Sequence, residues 1–153
     1  MNQYRSELDM FELWEVAKGL NYSCDAGQIE MACSQSEAVP EWLPMSIKIA
    51  INEIAKLRNG KPIHVMVNIV KPGSKVPPHT DLLPENVKGL KTERWHLAIK
   101  TNDQCFWWDI ENGRIHFPEK TWNGPVNHQI QHTFFNEGTT ERLHLVVDLL
   151  MRG

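Results

Sequence analysis

The stretch "HTFFNEGTTERLHLVVD" (132–148) decides how this chain is read. Two strand-like segments, "HTFF" and "RLHLVVD", flank Asn136, Glu137 and Gly138, a turn signal. A hairpin centred on Glu137 would set His132 directly opposite Arg142. The two side chains would then share one face of a sheet, with Cβ atoms about 4.5–5.5 Å apart.

Outward from this stretch the pattern repeats. "IHVMVNIV" (63–70), "RWHLAIKT" (94–101), "QCFWWDI" (104–110), "RIHF" (114–117), "HQIQHTFF" (128–135) and "RLHLVVDLL" (142–150) are short segments rich in β-branched and aromatic residues. No helical pattern separates them, which predicts an antiparallel sandwich or barrel. The expected fold is mainly β with N-terminal helices: a double-stranded β-helix, or cupin-like jelly roll.

Residues 1–60 read as a helical layer packed on one side of a β core at 61–153, in a single domain. "SELDMFELWEVAKGL" (6–20) offers Ser6 as an N-cap and places Met10, Leu13, Trp14, Ala17 and Leu20 at helical spacing. In "EWLPMSIKIAINEIAKLRNG" (41–60), Pro44 suits a first helical position, and Ile47, Ala50, Ile51, Ile54 and Leu57 form one apolar face. Asn59 and Gly60 give the stop. The intervening residues 21–40 read as loop, with room for a short helix.

A second stretch, "KVPPHTDLLP" (75–84), carries His79 and Asp81 two residues apart behind two prolines that favour extended chain. Side chains at i and i+2 of an extended segment point the same way, so an imidazole and a carboxylate face one point, as metal ligands do. His128 and His132 compete to be the third ligand. The hairpin register favours His132, because it brings Arg142 to the same face. Two histidines and a carboxylate form the facial triad of non-haem iron(II) oxygenases, with coordination positions left open. A neighbouring arginine offers a planar fork for a carboxylate. Together they call for an acid that also chelates the metal, and a 2-oxo acid does this.

Taken together, "HTD" (79–81), "RWHL" (94–97) and "HTFFNEGTTERLHLVVD" resemble the aspartyl/asparaginyl β-hydroxylase group of 2-oxoglutarate-dependent dioxygenases, over roughly residues 60–150. The resemblance implies that His79 and His132 bind Fe(II) and that Arg142 holds the distal carboxylate of 2-oxoglutarate. It also implies that Arg94 and His96 contact this cosubstrate. Some members of the group have glycine where this chain has Asp81, so Asp81 is either a ligand, as in most of the wider superfamily, or a near neighbour. The segment "LLPENVKGLKTE" (82–93) is longer here and reads as a lid or a substrate-contacting loop. The implied reaction is hydroxylation of an unactivated C–H bond on an amino-acid side chain, of the Asp or Asn type, in a peptide or a free amino acid.

Other residues take structural readings. His64 and His116 are expected to hydrogen-bond locally, Asp148 to hold a structural hydrogen bond, and Asn136 to shape its turn. His144 either approaches the cosubstrate or bonds to backbone. Of Trp95, Trp107, Trp108 and Trp122, most are expected as core or sheet-surface aromatics, although any of them could line the pocket. The 153 residues are 41% hydrophobic with net charge −3, a composition suited to a real core and without a basic stripe for nucleic acid. The apolar runs are too short for a membrane span, and the polar N-terminus is unlike a signal peptide. The expected setting is cytoplasmic. Three cysteines without a C-x-x-C pair favour free, mostly buried thiols. The competing readings are a cupin-type metal protein that binds a carboxylate without oxygen chemistry, and a jelly roll with no metal at all.

Overall fold

Period-2 alternation builds the molecule. In a computed structural model describing residues 1–25, 29–32, 39–81 and 87–152, the elements run β1 (Asn2–Arg5), α1 (Met10–Ala17), β2 (Ser23–Asp25), β3 (Ile29–Ala32), α2 (Met45–Arg58), β4 (Gly60–Val70) and β5 (Thr92–Lys100). Then follow β6 (Cys105–Asp109), β7 (Gly113–Ile115), β8 (Thr121–Val126), β9 (His132–Asn136) and β10 (Arg142–Met151). Among the described residues the strands form two antiparallel sheets. One has seven strands in the order β1-β8-β5-β10-β4-β3-β2, the other three in the order β7-β6-β9.

The central strand β10 shows why the layers form. Leu143, Leu145, Val147 and Leu149 alternate with Arg142, His144, Val146 and Asp148. The first set joins Val65, Val67 and Ile69 of β4, and Trp95, Leu97 and Ile99 of β5, in a core that packs on the helices. Ile47, Ala50, Ile51 and Ile54 of α2 and Met10, Leu13 and Ala17 of α1 complete it. The polar set faces the other way, toward the small sheet, where a second cluster of Ala98, Trp107, Phe117 and Val126 closes the interior. A strand with an apolar helix face and a polar inner face buries charged groups between the two sheets of this jelly roll.

The N-terminal region departs from the expected helical layer, since it also supplies β1, β2 and β3 to the seven-stranded sheet. Helix α1 is capped by Asp9, whose carboxylate accepts from the Phe11 and Glu12 backbone N–H groups, rather than by Ser6. Ser6 is buried instead and donates to Glu53 of α2 at 2.7 Å. Pro44 stands at the N-cap of α2, one position before the expected site, and Leu57 is half exposed rather than part of the apolar face. Asn59 ends the helix in the left-handed conformation, as expected.

Strand β8 escaped sequence reading because Gly124 and Pro125 interrupt it. The glycine has a packing cause: a Cβ there would meet Trp95 at 2.7 Å and the Arg94 carbonyl at 2.8 Å, so only glycine lets β8 close on β5. Cys33 and the first part of the insertion, 82–86, lie outside the described residues. Cys105 is a free, buried thiol.

Candidate metal and carboxylate site

The segment 73–81 runs antiparallel to β9 and extends the small sheet. Gly73 donates to the Asn136 carbonyl, Val76 to that of Phe134, and Asp81 to that of His128. At its centre His79 and His132 exchange both backbone hydrogen bonds at 2.9 Å. This bridge sets the two imidazoles side by side, with ring centroids 4.4 Å apart. The prolines before His79 keep the approach extended, and the i, i+2 geometry turns Asp81 to the same point.

The three side chains converge. Asp81 Oδ1 lies 3.3 Å from His79 Nε2, and Oδ2 lies 3.4 Å from His132 Nε2. One ligand atom from each of the three lies within 4.8 Å of the others. Each histidine uses Nδ1 on a backbone carbonyl, Pro77 at 2.9 Å and Ile130 at 2.8 Å. An N–H at Nδ1 leaves Nε2 as the lone-pair donor, aimed at the common point. Trp107 stacks on the His132 ring at 4.8 Å and 12°, fixing its plane. Burial alone would raise the Asp81 carboxyl; its contact with His132 and the charge of Arg94 hold it well below the usual range. It is a carboxylate at neutral pH.

The route to His132 differs from the hairpin expected. Strand β9 pairs with β6, β10 pairs with β4 and β5, and residues 137–141 cross from the small sheet to the large one. The cross-strand partners of His132 are His79 on one side and Asp109 of β6 on the other, not Arg142. Asn136 organises the crossing: its amide donates to the Val70 and Thr140 carbonyls and accepts from Gly138 N–H, which fulfils its reading as a turn-shaping residue. His128, the rival ligand, is buried and held neutral, with its pKa lowered to about 4 by burial and then by the Arg94 charge.

Deeper between the sheets lies Arg142, with 1% of its surface exposed. Its Nη1 donates to Asn68 Oδ1 at 2.9 Å and its Nη2 to His144 Nδ1 at 2.8 Å, and its guanidinium lies 4.7 Å from the Phe134 ring centroid. No carboxylate among the described residues pairs with it. Burial pushes its pKa down to about 9. His144 Nδ1 also meets His96 Nδ1 at 3.1 Å. Burial, and then the Arg142 charge, hold both imidazoles neutral. Trp107 and Phe117 meet the His96 ring edge to face.

Arg94 is differently placed. It forks onto Asp148, with Nε to Oδ1 at 2.7 Å and Nη2 to Oδ2 at 2.9 Å, and its remaining Nη1 reaches Asp81 Oδ2 at 2.7 Å. His64 Nδ1 meets Asp148 Oδ2 at 3.0 Å. Glu93, one residue earlier, faces the opposite side and pairs with Arg58. Sequence reading missed Asn68 and Phe134 as parts of this interior; Asp148 holds structural hydrogen bonds as expected, with Arg94 and His64 as partners that the sequence did not name. The signal was there in β4, where His64, Met66 and Asn68 alternate with Val65, Val67 and Ile69. Trp95 and Trp122 belong to the helix-side core, as most of the tryptophans were expected to. His116 bonds to the Cys105 carbonyl.

The donor set fits iron(II): two imidazole nitrogens and one carboxylate, with the remaining space unclaimed by further ligands among the described residues. A buried cation without an anion fits a carboxylated ligand.

Residues 27–152 match the family model described as aspartyl/asparaginyl beta-hydroxylase. No curated protein matches the chain. Among solved structures, a viral collagen prolyl hydroxylase from Paramecium bursaria Chlorella virus-1, in complex with 2-oxoglutarate, superposes with a TM-score of 0.65 at 13% identity, over 99% of this chain and 96% of that one. A prolyl-4-hydroxylase from Pseudomonas putida gives 0.64 at 13% identity, over 99% and 92%. A 2OG-Fe(II) oxygenase family protein from Burkholderia pseudomallei gives 0.63 at 11%, over 92% and 77%. At such identities the likeness is one of fold.

Proposed function

Because the chain belongs to the aspartyl/asparaginyl β-hydroxylase family, we propose that it is an Fe(II)- and 2-oxoglutarate-dependent dioxygenase that hydroxylates an unactivated C–H bond. The acceptor is an amino-acid side chain of the Asp or Asn type, in a peptide or a free amino acid. One observation carries this reading: a His79–Asp81–His132 cluster and a buried Arg142 that no described carboxylate pairs with face the same interior between the sheets. Iron with 2-oxoglutarate would supply the oxidising power, coupling decarboxylation of the 2-oxo acid to oxygen insertion.

The chain's own residues do the rest. His79, Asp81 and His132 bind the metal. Arg142, steadied by Asn68 and His144, holds the distal carboxylate of the diacid, and neutral His96 and His144 line the same buried space as acceptors or donors without adding charge. Trp107, Phe117 and Phe134 exclude water around the bound diacid, which strengthens the guanidinium–carboxylate attraction. A cytoplasmic, reducing setting, which keeps iron ferrous and Cys105 a thiol, belongs to the same proposal. No helix among the described residues is long and apolar enough to cross a membrane.

The test is succinate release in air with Fe(II), ascorbate and 2-oxoglutarate, with Asp- and Asn-containing peptides and free amino acids screened by mass for a gained oxygen. His132→Ala is expected to abolish metal binding and succinate release, while His128→Ala keeps metal binding. A wild-type protein that binds 2-oxoglutarate with metal but never releases succinate would favour the carboxylate-binding alternative.

A further inference from the structure

We propose that Arg94 is a positioning residue, which holds Asp81 so that the carboxylate meets the metal through Oδ1 alone. This inference rests on the metal site proposed above.

The geometry separates the two oxygens of Asp81. Oδ2, 3.4 Å from His132 Nε2, also accepts from Arg94 Nη1 at 2.7 Å, a short charge-assisted bond that occupies it, whereas Oδ1 lies 3.3 Å from His79 Nε2 with no guanidinium on it. Arg94 cannot drift toward the cluster, because its other edge is forked onto Asp148 across the β5–β10 pair. Asp148 is itself fixed by His64 from β4. Three adjacent strands of the large sheet thus set the position of a carboxylate on a segment of the small one. The Arg94–Asp148 pair is nearly dry, with both side chains 8% exposed, so the guanidinium is held in one orientation while Asp81, 30% exposed, takes its remaining N–H.

The consequence is coordination number. A free aspartate can chelate a divalent ion with both oxygens, which would use one of the positions that two histidines and one oxygen leave open. A diacid that chelates and a dioxygen molecule together need about three. By occupying Oδ2, Arg94 keeps that third position available. The role also explains why an arginine is present and not a lysine: only the planar fork serves two carboxylates at once with fixed directions.

The test uses the full chain loaded with Mn(II), whose bound waters are counted by water-proton relaxation. Arg94→Gln removes the hold on Oδ2. Arg94→Lys keeps a cation for Asp148, so it protects the fold while a single ammonium cannot fix both acids. The relaxivity per bound Mn(II) is expected to fall by about one third in both variants, one water of about three lost to a second carboxylate oxygen. Saturating 2-oxoglutarate should then leave one exchangeable water on the wild type and none on the variants. Relaxivity equal to wild type in both, together with weakened 2-oxoglutarate binding, would overturn the proposal and make Arg94 a cosubstrate contact. If the wild-type protein binds no Mn(II), the metal site itself fails and this inference with it.

Discussion

Two buried arginines face the interior between the sheets, and they differ in one respect. Arg94 is surrounded by carboxylates: Asp148 on one edge and Asp81 on the other. Arg142 has an amide, an imidazole and an aromatic face. Burial opposes the charge of both, yet the acids around Arg94 more than offset it and hold its pKa above the ordinary value, while that of Arg142 falls to about 9. A buried charge is tolerable when paired and costly when alone. Arg94 is tied into the folded scaffold by two carboxylates, whereas Arg142 is buried with no described carboxylate beside it, which is what the proposed binding of a diacid requires.

The largest expected effect breaks or keeps that contrast directly. Arg94→Leu leaves Asp148 charged and buried beside His64 without its guanidinium, so it should destabilise the metal-free protein by about 3–5 kcal/mol, as removing one partner of a buried pair does. Arg142→Leu loses two hydrogen bonds but also relieves a buried cation that no described carboxylate pairs with, so its cost should stay below about 1 kcal/mol. Urea unfolding of both variants at neutral pH measures the difference. Equal losses would mean that Arg142 is as integral to the scaffold as Arg94.

Binding should show the reverse order. Arg142→Leu is expected to weaken 2-oxoglutarate binding to the Mn(II)-loaded protein by about a hundredfold, or about 2.7 kcal/mol, the range for truncating one side of a buried charge pair. Calorimetric titration reads it. A residual affinity within a few-fold of wild type would place the distal carboxylate elsewhere.

A third substitution sharpens the contrast by converting one arginine's surroundings into the other's. Asn68→Asp changes little in shape and puts a carboxylate 2.9 Å from the Arg142 guanidinium. The metal-free protein should gain about 1–2 kcal/mol from a charge-assisted bond, and 2-oxoglutarate should lose its site. Thermal melts with and without the diacid would show a higher starting point and no ligand-induced rise. A lower starting point would mean that the interior around Arg142 is too tightly packed to shed the water around a new charge.

Much of this was legible in the sequence, for reasons that are local. The i, i+2 placement of His79 and Asp81 behind Pro77 and Pro78 is a short-range statement about extended chain, and it held. So did the reading of "RLHLVVDLL" as a strand, β10, whose inner face carries Arg142, His144 and Asp148. What could not be read was which strand meets which. The "NEG" turn signal suggested a hairpin, but Asn136 spends its amide on Val70 and Thr140 and turns the chain into the opposite sheet. His132 thus entered the expected site for a reason other than the one deduced. Strand β8 was hidden by a glycine whose cause is Trp95, a residue 29 positions away in sequence. The pairing of Arg94 with Asp148 spans 54 residues and leaves no mark on either neighbourhood. Long-range partners are fixed by sheet order, which one sequence does not disclose.

The smallest expected effect concerns protons. His96, His128 and His144 are kept neutral by burial first and by a nearby arginine next, Arg142 for His96 and His144 and Arg94 for His128. A base whose folded pKa lies below its unfolded value binds fewer protons in the native state, so stability falls as pH drops below about 6.5 and keeps falling until the folded pKa is reached. For His128, with a folded value about 4, the loss between pH 7 and pH 6 comes to about 0.7 kcal/mol. His96 and His144 add losses of the same sign in the same window. Urea unfolding of the metal-free wild type and of His128→Gln at the two pH values isolates the first share: the variant should lose less on acidification by that amount. Equal slopes would mean that His128 takes up its proton in the folded protein as readily as in the unfolded chain. The interior would then admit a third cation beside Arg94 and Arg142, and the contrast between one satisfied arginine and one waiting arginine would no longer describe its electrostatics.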